Sequence, residues 1–400
     1  MSPTLGPYDL PGAYTGDAVD MMREIPDGSI HCCITSPPYW GLRSYLDPGD
    51  PDKAREIGAE ATPDQYVASM VRVFREVRRV LRPDGTCWLN LGDSYVGNAS
   101  PGGEGSRTSD GGRPNANKPI SATKRGKGLK PKDLCLIPYR VALALQADGW
   151  WLRSNIVWAK GLSFCEHYSG SVMPEGVRDR PTSAHEAVFL LTKSARYWYD
   201  AEAVQEAWRD DRAGDPGAAQ TKHTDRRADG SGRYNHDTRP ARPGRNLRNV
   251  WAISPRPYSG SHYAVFPPQL IAPMIDAGCP RKACAECGSP WVRHVERGNY
   301  IGRHYCDQGN ASATMRKDPA VHGGRVGTRA TITTGWAPLC SCGADASAGI
   351  VLDPFMGSGT TGQVAEDRGR LWIGFDLDER NATLIRKRTA QTSLLGLVGQ

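Results

Sequence analysis

Residues 350–376 read IVLDPFMGSGTTGQVAEDRGRLWIGFD, a pattern of strand, loop, helix and strand. An apolar run ends on Asp353, glycines follow at 357, 359 and 362, a helical stretch covers 360–370, and a second apolar run ends on Asp376. Gly357, Gly359 and Gly362 satisfy the G-x-G-x-x-G spacing of dinucleotide sites, and Asp376 stands where an acid binds ribose hydroxyls. Charge argues against a dinucleotide, because a pyrophosphate in the loop would lie beside the Asp353 carboxylate. The same residues suit S-adenosyl-L-methionine. Its amino group and sulfonium would meet Asp353, the loop amides its carboxylate, and Asp376 its ribose. A nicotinamide site, and a glycine-rich turn that binds nothing, are the competing readings.

After Asp376 one helix, ERNATLIRKRTAQ at 379–391, follows, and two strands do not make a doubly wound sheet. The missing strands are expected from the N-terminal part: one near 13–15 ending in Gly16-Asp17, and one at 31–35 entering ITSPPYW at 34–40. Ligands gather at the carboxyl ends of such strands. Asp17, Asp353, Asp376 and the proline stretch are therefore expected on one rim. By itself ITSPPYW reads as a stiff turn. Each X-Pro step extends the backbone and each proline removes an amide donor, so Ser36-Pro37-Pro38 offers acceptors beside the Tyr39 ring.

The remaining chain reads as α/β core interrupted by inserts. Thr62 is an N-cap with Pro63 at the first helical position, and Tyr66, Met70, Val73, Phe74, Val77, Val80 and Leu81 recur at helical spacing. Pro83-Asp84-Gly85 stops that helix, and a buried strand is expected over 86–91. Helix, Gly149 stop and strand follow within 141–160, and another strand over 186–192. The expected division is catalytic domain over 1–96, a flexible basic insert over 97–133, and catalytic domain again over 134–208. A polar insert for target recognition, with Tyr234 and His236, follows over 209–248; catalytic domain returns over 249–278, then a cysteine-rich insertion over 279–345 and the cofactor-binding part over 346–400.

A net charge of +7 suits a polyanionic partner, and both inserts are candidates to lie along phosphates. No apolar run reaches the length of a membrane span and the N-terminus lacks a signal-peptide pattern, so a cytoplasmic, DNA-associated protein without membrane contact is expected. The 11 cysteines are then thiols or metal ligands rather than disulfides. Cys284 and Cys287 form C-x-x-C, Cys340 and Cys342 form C-x-C, and each pair ends in Cys-Gly. A structural zinc knuckle on these four is the reading, with Cys279, Cys306, His294 and His304 as alternative ligands. Four free thiols in a loop, or a redox C-x-x-C, are the competing readings.

LDPFMGSGTT after ITSPPY, an order reversed from the usual one, resembles the permuted, beta-type amino-DNA methyltransferases. EVRRVLRPDGTCWLNLGDSY, GWWLRSNIVWAK and HEAVFLLTK resemble segments of the same family. The resemblance implies a Rossmann-like, doubly wound sheet in circularly permuted order, acting on double-stranded DNA, with a cognate restriction endonuclease as a further partner. By the same resemblance Asp353, Phe355, Gly357, Ser358, Gly359, Thr360 and Thr361 bind S-adenosylmethionine, Asp376 its ribose and Asp17 its adenine side. Ser36, Pro37, Pro38 and Tyr39 then hold the target base, and Trp40, Arg43 and Tyr45 are candidates for the pocket.

The chemistry accounts for these residue types. An exocyclic amine is a poor nucleophile, and acceptors on its N–H groups, the Ser36 hydroxyl and Pro37 carbonyl, favour a nitrogen whose lone pair faces the methyl donor. Tyr39 offers a ring for the extruded base. Carbon methylation would use a Pro-Cys step, and Cys279-Pro280 runs the other way. Serine at the first motif position resembles the cytosine-N4 branch, with adenine-N6 as the alternative. A non-enzymatic, zinc-containing nucleic-acid-binding protein is the rival of another class.

Overall fold

The strands of the central sheet are, in chain order, β1 (Gly12–Thr15), β2 (Ile30–Thr35), β3 (Leu81–Leu91), β4 (Trp151–Ala159), β5 (His185–Thr192), β6 (Val250–Ala252), β7 (Ile350–Asp353) and β8 (Leu371–Asp376). A computed structural model describes residues 3–42, 44–96, 129–206, 245–255, 265–301 and 328–396. The basic insert at 97–128, Arg43, Tyr234, His236, His304 and Cys306 lie outside the described residues. The helices are α1 (Ala18–Arg23), α2 (Pro63–Val80), α3 (Ile137–Ala147), α4 (Pro268–Gly278), α5 (Thr360–Asp367) and α6 (Arg380–Gly396).

The spatial order is β1-β8-β7-β2-β3-β5-β4-β6. The two C-terminal strands thus lie between the first two N-terminal ones. Val351 pairs with Cys32, Leu352 with Cys33, and Phe375 with Tyr14, all in parallel register. Strands β1, β8, β7, β2 and β3 run parallel, while β5 is antiparallel to both β3 and β4. Two chain segments more than 300 residues apart therefore end on one rim, as the short C-terminal half requires.

Helix α2 shows why the pattern folds as read. The Thr62 hydroxyl accepts from the Gln65 amide at its N-terminus, and Tyr66, Met70, Val73, Phe74, Val77 and Val80 are all fully buried. They share a core with Cys33, Cys87, Leu89, Leu352 and Ile373 on one face of the sheet. Helix α4 covers the other face, where Gly278 lies so close to Thr86 and Trp88 that a Cβ would come within 2.4 Å of the Thr86 hydroxyl. Helix α5 packs against α4, and α6 against α5.

Strand β3 starts earlier than the expected 86–91. Leu81 already pairs with Ile30, and the register then jumps so that Cys32 faces Thr86. Pro83-Asp84-Gly85 is carried as a bulge in the strand instead of a separating turn, because Gly85 fits where a side chain would meet Leu81 and the His31 carbonyl.

Two compact units are distinguished: Met1–Ala203, Arg248–Trp291 and Cys340–Gln400 in the first, Val204–Leu247 and Val292–Leu339 in the second. The first holds the sheet. In the second, the strand ending at Ile301 pairs with that starting at Thr328, and Arg293 stacks on Trp336 at 5.3 Å. Among the described residues no helix is long and apolar enough to cross a membrane.

Candidate active site

A cavity of about 1030 Å³ opens at the carboxyl ends of the central strands. Gly16 and Asp17 after β1, Ser36, Pro37, Pro38 and Tyr39 after β2, Phe355, Gly357, Ser358 and Thr360 after β7, and Asp376 at the end of β8 all line it. The sheet order explains the gathering, since these strand ends are neighbours whatever their distance in sequence. Tyr45 also lines the cavity. Trp40 does not: it is buried, and its indole N–H donates to the Glu60 carbonyl at 2.9 Å.

Asp353, expected to meet the amino group and sulfonium of the cofactor, does not line the cavity. It is buried and outside the lining, and its carboxylate accepts from the Thr35 hydroxyl (2.7 Å), the Thr361 hydroxyl (2.7 Å) and the Phe355 amide (3.1 Å). It therefore ties β2, the glycine loop and α5 together from behind. Gly359 and Thr361 likewise lie behind the wall, and Gly359 takes φ 85°, a conformation that favours glycine. Ser358 and Thr360 are held from the rear by Arg388 of α6, which donates to both hydroxyls.

Of the two acids that end β7 and β8, Asp376 is the one that lines the cavity. It accepts from the Gly357 amide (2.7 Å), the Asp378 amide (2.9 Å) and the Asn381 side chain (2.9 Å). The Gly357 amide, expected to meet a cofactor carboxylate, is thus engaged by Asp376. Burial pushes the carboxyls of both Asp353 and Asp376 up to about 6, against the pull of their donors. Asp17 caps α1 by accepting from the Val19 amide at 2.9 Å and still reaches the cavity.

On the proline side a polar chain crosses the site. Lys160 pairs with Glu186, and Glu186 Oε2 accepts from the Tyr39 hydroxyl at 2.6 Å and from Asn90 Nδ2 at 3.1 Å. The Tyr39 hydroxyl is 3.2 Å from Ser36 Oγ. A carboxylate paired with lysine only accepts, so Tyr39 is the donor to Glu186 and Ser36 O–H donates to Tyr39. Ser36 Oγ then presents lone pairs to the cavity. Burial and Glu186 raise the Tyr39 phenol well above its usual range, which keeps that proton in place. The Pro38 carbonyl accepts from the Tyr66 hydroxyl at 2.9 Å, fixing the turn on α2.

The Tyr39 ring lies against Gly92, where a Cβ would come to 2.5 Å from it. Tyr39 thus has its hydroxyl anchored as well as its ring at the cavity. Asn90, Lys160 and Glu186 went unread in the sequence. The available signal was polarity inside or at the ends of apolar strands: Asn90 interrupts TCWLNL, Glu186 opens EAVFLLT and Lys160 closes IVWAK.

The four cysteines Cys284, Cys287, Cys340 and Cys342 come together in the first unit, with all sulfurs within 4.8 Å of one another, and none lines the cavity. Cys279 is buried elsewhere and His294 stands outside the cluster.

The family model described as DNA methylase matches residues 30–283 and 345–387. The chain is 34% identical to the Type II methyltransferase M.XycI of Xanthomonas campestris pv. cyanopsidis, over 94% of this chain and 86% of that protein. It is 33% identical to the Type II methyltransferase M.SmaI of Serratia marcescens, over 93% and 88%. In fold it matches the solved PvuII DNA methyltransferase (cytosine-N4-specific), with a TM-score of 0.50 at 15% identity, over 98% of this chain and 91% of that one. Matched over most of its length, with the glycine loop and the proline stretch on one rim of a permuted sheet, the chain belongs to the N6/N4 DNA methylase family and is a DNA methyltransferase.

Proposed function

We propose that the protein transfers a methyl group to the exocyclic N4 amine of a cytosine turned out of double-stranded DNA. The observation that carries this reading is the chain Lys160–Glu186–Tyr39–Ser36, which orients the serine proton inward and leaves Ser36 Oγ as an acceptor in the cavity. S-adenosylmethionine, the methyl donor of this family, supplies an electrophilic methyl group when bound. The residues fit it: the cavity wall combines the acids Asp17 and Asp376 with the apolar Phe355 and Pro37, which suits a cationic nucleoside better than a pyrophosphate. Asp376 would hold the ribose, Asp17 the adenine side, and Phe355, Gly357, Ser358 and Thr360 would flank it. Asp353, Gly359 and Thr361 would support the loop from behind.

Ser36 Oγ and the Pro37 carbonyl accept the two N–H groups of the target amine and turn its lone pair toward the donor. Tyr39 gives the base a ring to lie on, and Pro38 holds ring and acceptors in register through its bond to Tyr66. Serine at position 36 favours cytosine-N4 over adenine-N6, and the Type II designation of the relatives favours a restriction endonuclease as the cellular counterpart. The test is to incubate unmethylated DNA with the protein and S-adenosylmethionine, digest it and weigh the nucleosides. N4-methylcytosine is expected; N6-methyladenine would reassign the base, and neither product would defeat the reading.

A further inference from the structure

We propose that Cys284, Cys287, Cys340 and Cys342 hold one structural Zn²⁺ that staples the segment around Cys284 to the segment around Cys340. This inference is independent of which base is methylated. A zinc ion at Zn–S distances of about 2.3 Å sets its four sulfurs about 3.8 Å apart at the corners of a tetrahedron. The four sulfurs here all lie within 4.8 Å of one another, so a small closing movement completes that figure. Gly288 and Gly343 follow the two pairs with φ values of 67° and 71°, the left-handed turn that wraps backbone around a metal-bound thiolate. The amides of Glu286 and Cys287 point at Cys284 Sγ and that of Cys342 at Cys340 Sγ, the outer hydrogen bonds that orient such ligands.

The scaffold of the first unit holds the two pairs together. Ala283 and Cys284 pair with Ser347 and Ala346 as a short antiparallel ladder. Behind the first pair, Arg82 donates to the Cys287 carbonyl at 2.8 Å. His31 Nδ1 accepts from the Ile350 amide at 3.0 Å, so its Nε2 carries the proton and donates to the Gly288 carbonyl at 2.9 Å. The knuckle is thereby docked on strands β2, β3 and β7. None of the four sulfurs is in a disulfide. Four thiolates leave no open coordination position, which marks a structural rather than a catalytic site, and soft sulfur ligands select zinc over magnesium or calcium. On binding, four Zn–S bonds form as the thiol protons leave to solvent, with no change of oxidation state.

The test uses the full-length, untagged protein purified without added metal or chelator. Elemental analysis should find one zinc per chain, and a mercurial thiol reagent should release it. The double variant Cys287→Ser, Cys342→Ser should lose the zinc, whereas Cys165→Ser, outside the cluster, should keep it. Folded wild-type protein that carries no zinc or carries iron instead, or full zinc content in the double variant, would overturn the proposal. The wild-type measurement stands even where the double variant fails to fold.

Discussion

The two walls of the cavity use their polar groups in opposite ways. On the glycine-loop wall they face inward: Asp353 takes three donors from the protein, the Gly359 amide bonds the Met356 carbonyl, and Arg388 holds Ser358 and Thr360. On the proline wall a chain of hydrogen bonds runs outward and ends on Ser36 Oγ at the cavity. In the proposed function the first wall makes shape and the second presents chemistry. A motif rich in polar residues is therefore no guide to which of its atoms meet a ligand.

The sharpest way to break this contrast is on the proline wall. Ser36→Ala or Tyr39→Ala should lower turnover by about 10²–10³, with S-adenosylmethionine affinity nearly unchanged. A loss of cofactor affinity in a titration of either variant would erase the division between the walls. Next in size, Asp376→Ala should weaken S-adenosylmethionine binding by about 10²-fold by calorimetry, since it removes a carboxylate that lines the cavity and holds the Gly357 amide of the glycine loop.

The pH response should follow the same acid. Affinity for the cationic cofactor should fall by about tenfold between pH 7 and pH 5, as Asp376, with its carboxyl at about 6, becomes protonated. Stability of the unliganded protein should run the other way. Asp353 and Asp376 both have folded-state values raised to about 6, so the stability of their protonated forms is full below about 4 and is lost as pH rises through 6. Thermal unfolding at pH 5 and pH 7, with and without ligand, checks both signs. The smallest effect on binding is expected at Asp353→Asn. Affinity should change less than about threefold, and Asp353's share of the stability lost between pH 5 and pH 7 should disappear, because the amide buries no charge and keeps a carbonyl for the donors. A large affinity loss without destabilisation would return Asp353 to the cofactor.

Much of this was legible because it is written in neighbouring residues. The cap and apolar face of α2, the turn glycines of the loop, and the stiff step at Ser36-Pro37-Pro38 depend on local spacing alone. So does the shortage of strands after Asp376, which requires N- and C-terminal strands to share a sheet. What stayed hidden depends on which distant atoms meet. Thr35 and Asp353 bond across 318 positions, and Tyr39 and Glu186 across 147. No local pattern states that the first acid is used up inside the wall or that a strand-opening glutamate orients the serine proton. The sequence by itself determined the strand ends, the permuted sheet and the residue types gathered on its rim, since periodicity and turn chemistry act over a few residues. Only the tertiary structure decided which of the strand-end acids Asp353 and Asp376 lines the cavity and which way each hydroxyl points, because a hydrogen bond is assigned by three-dimensional contact and burial.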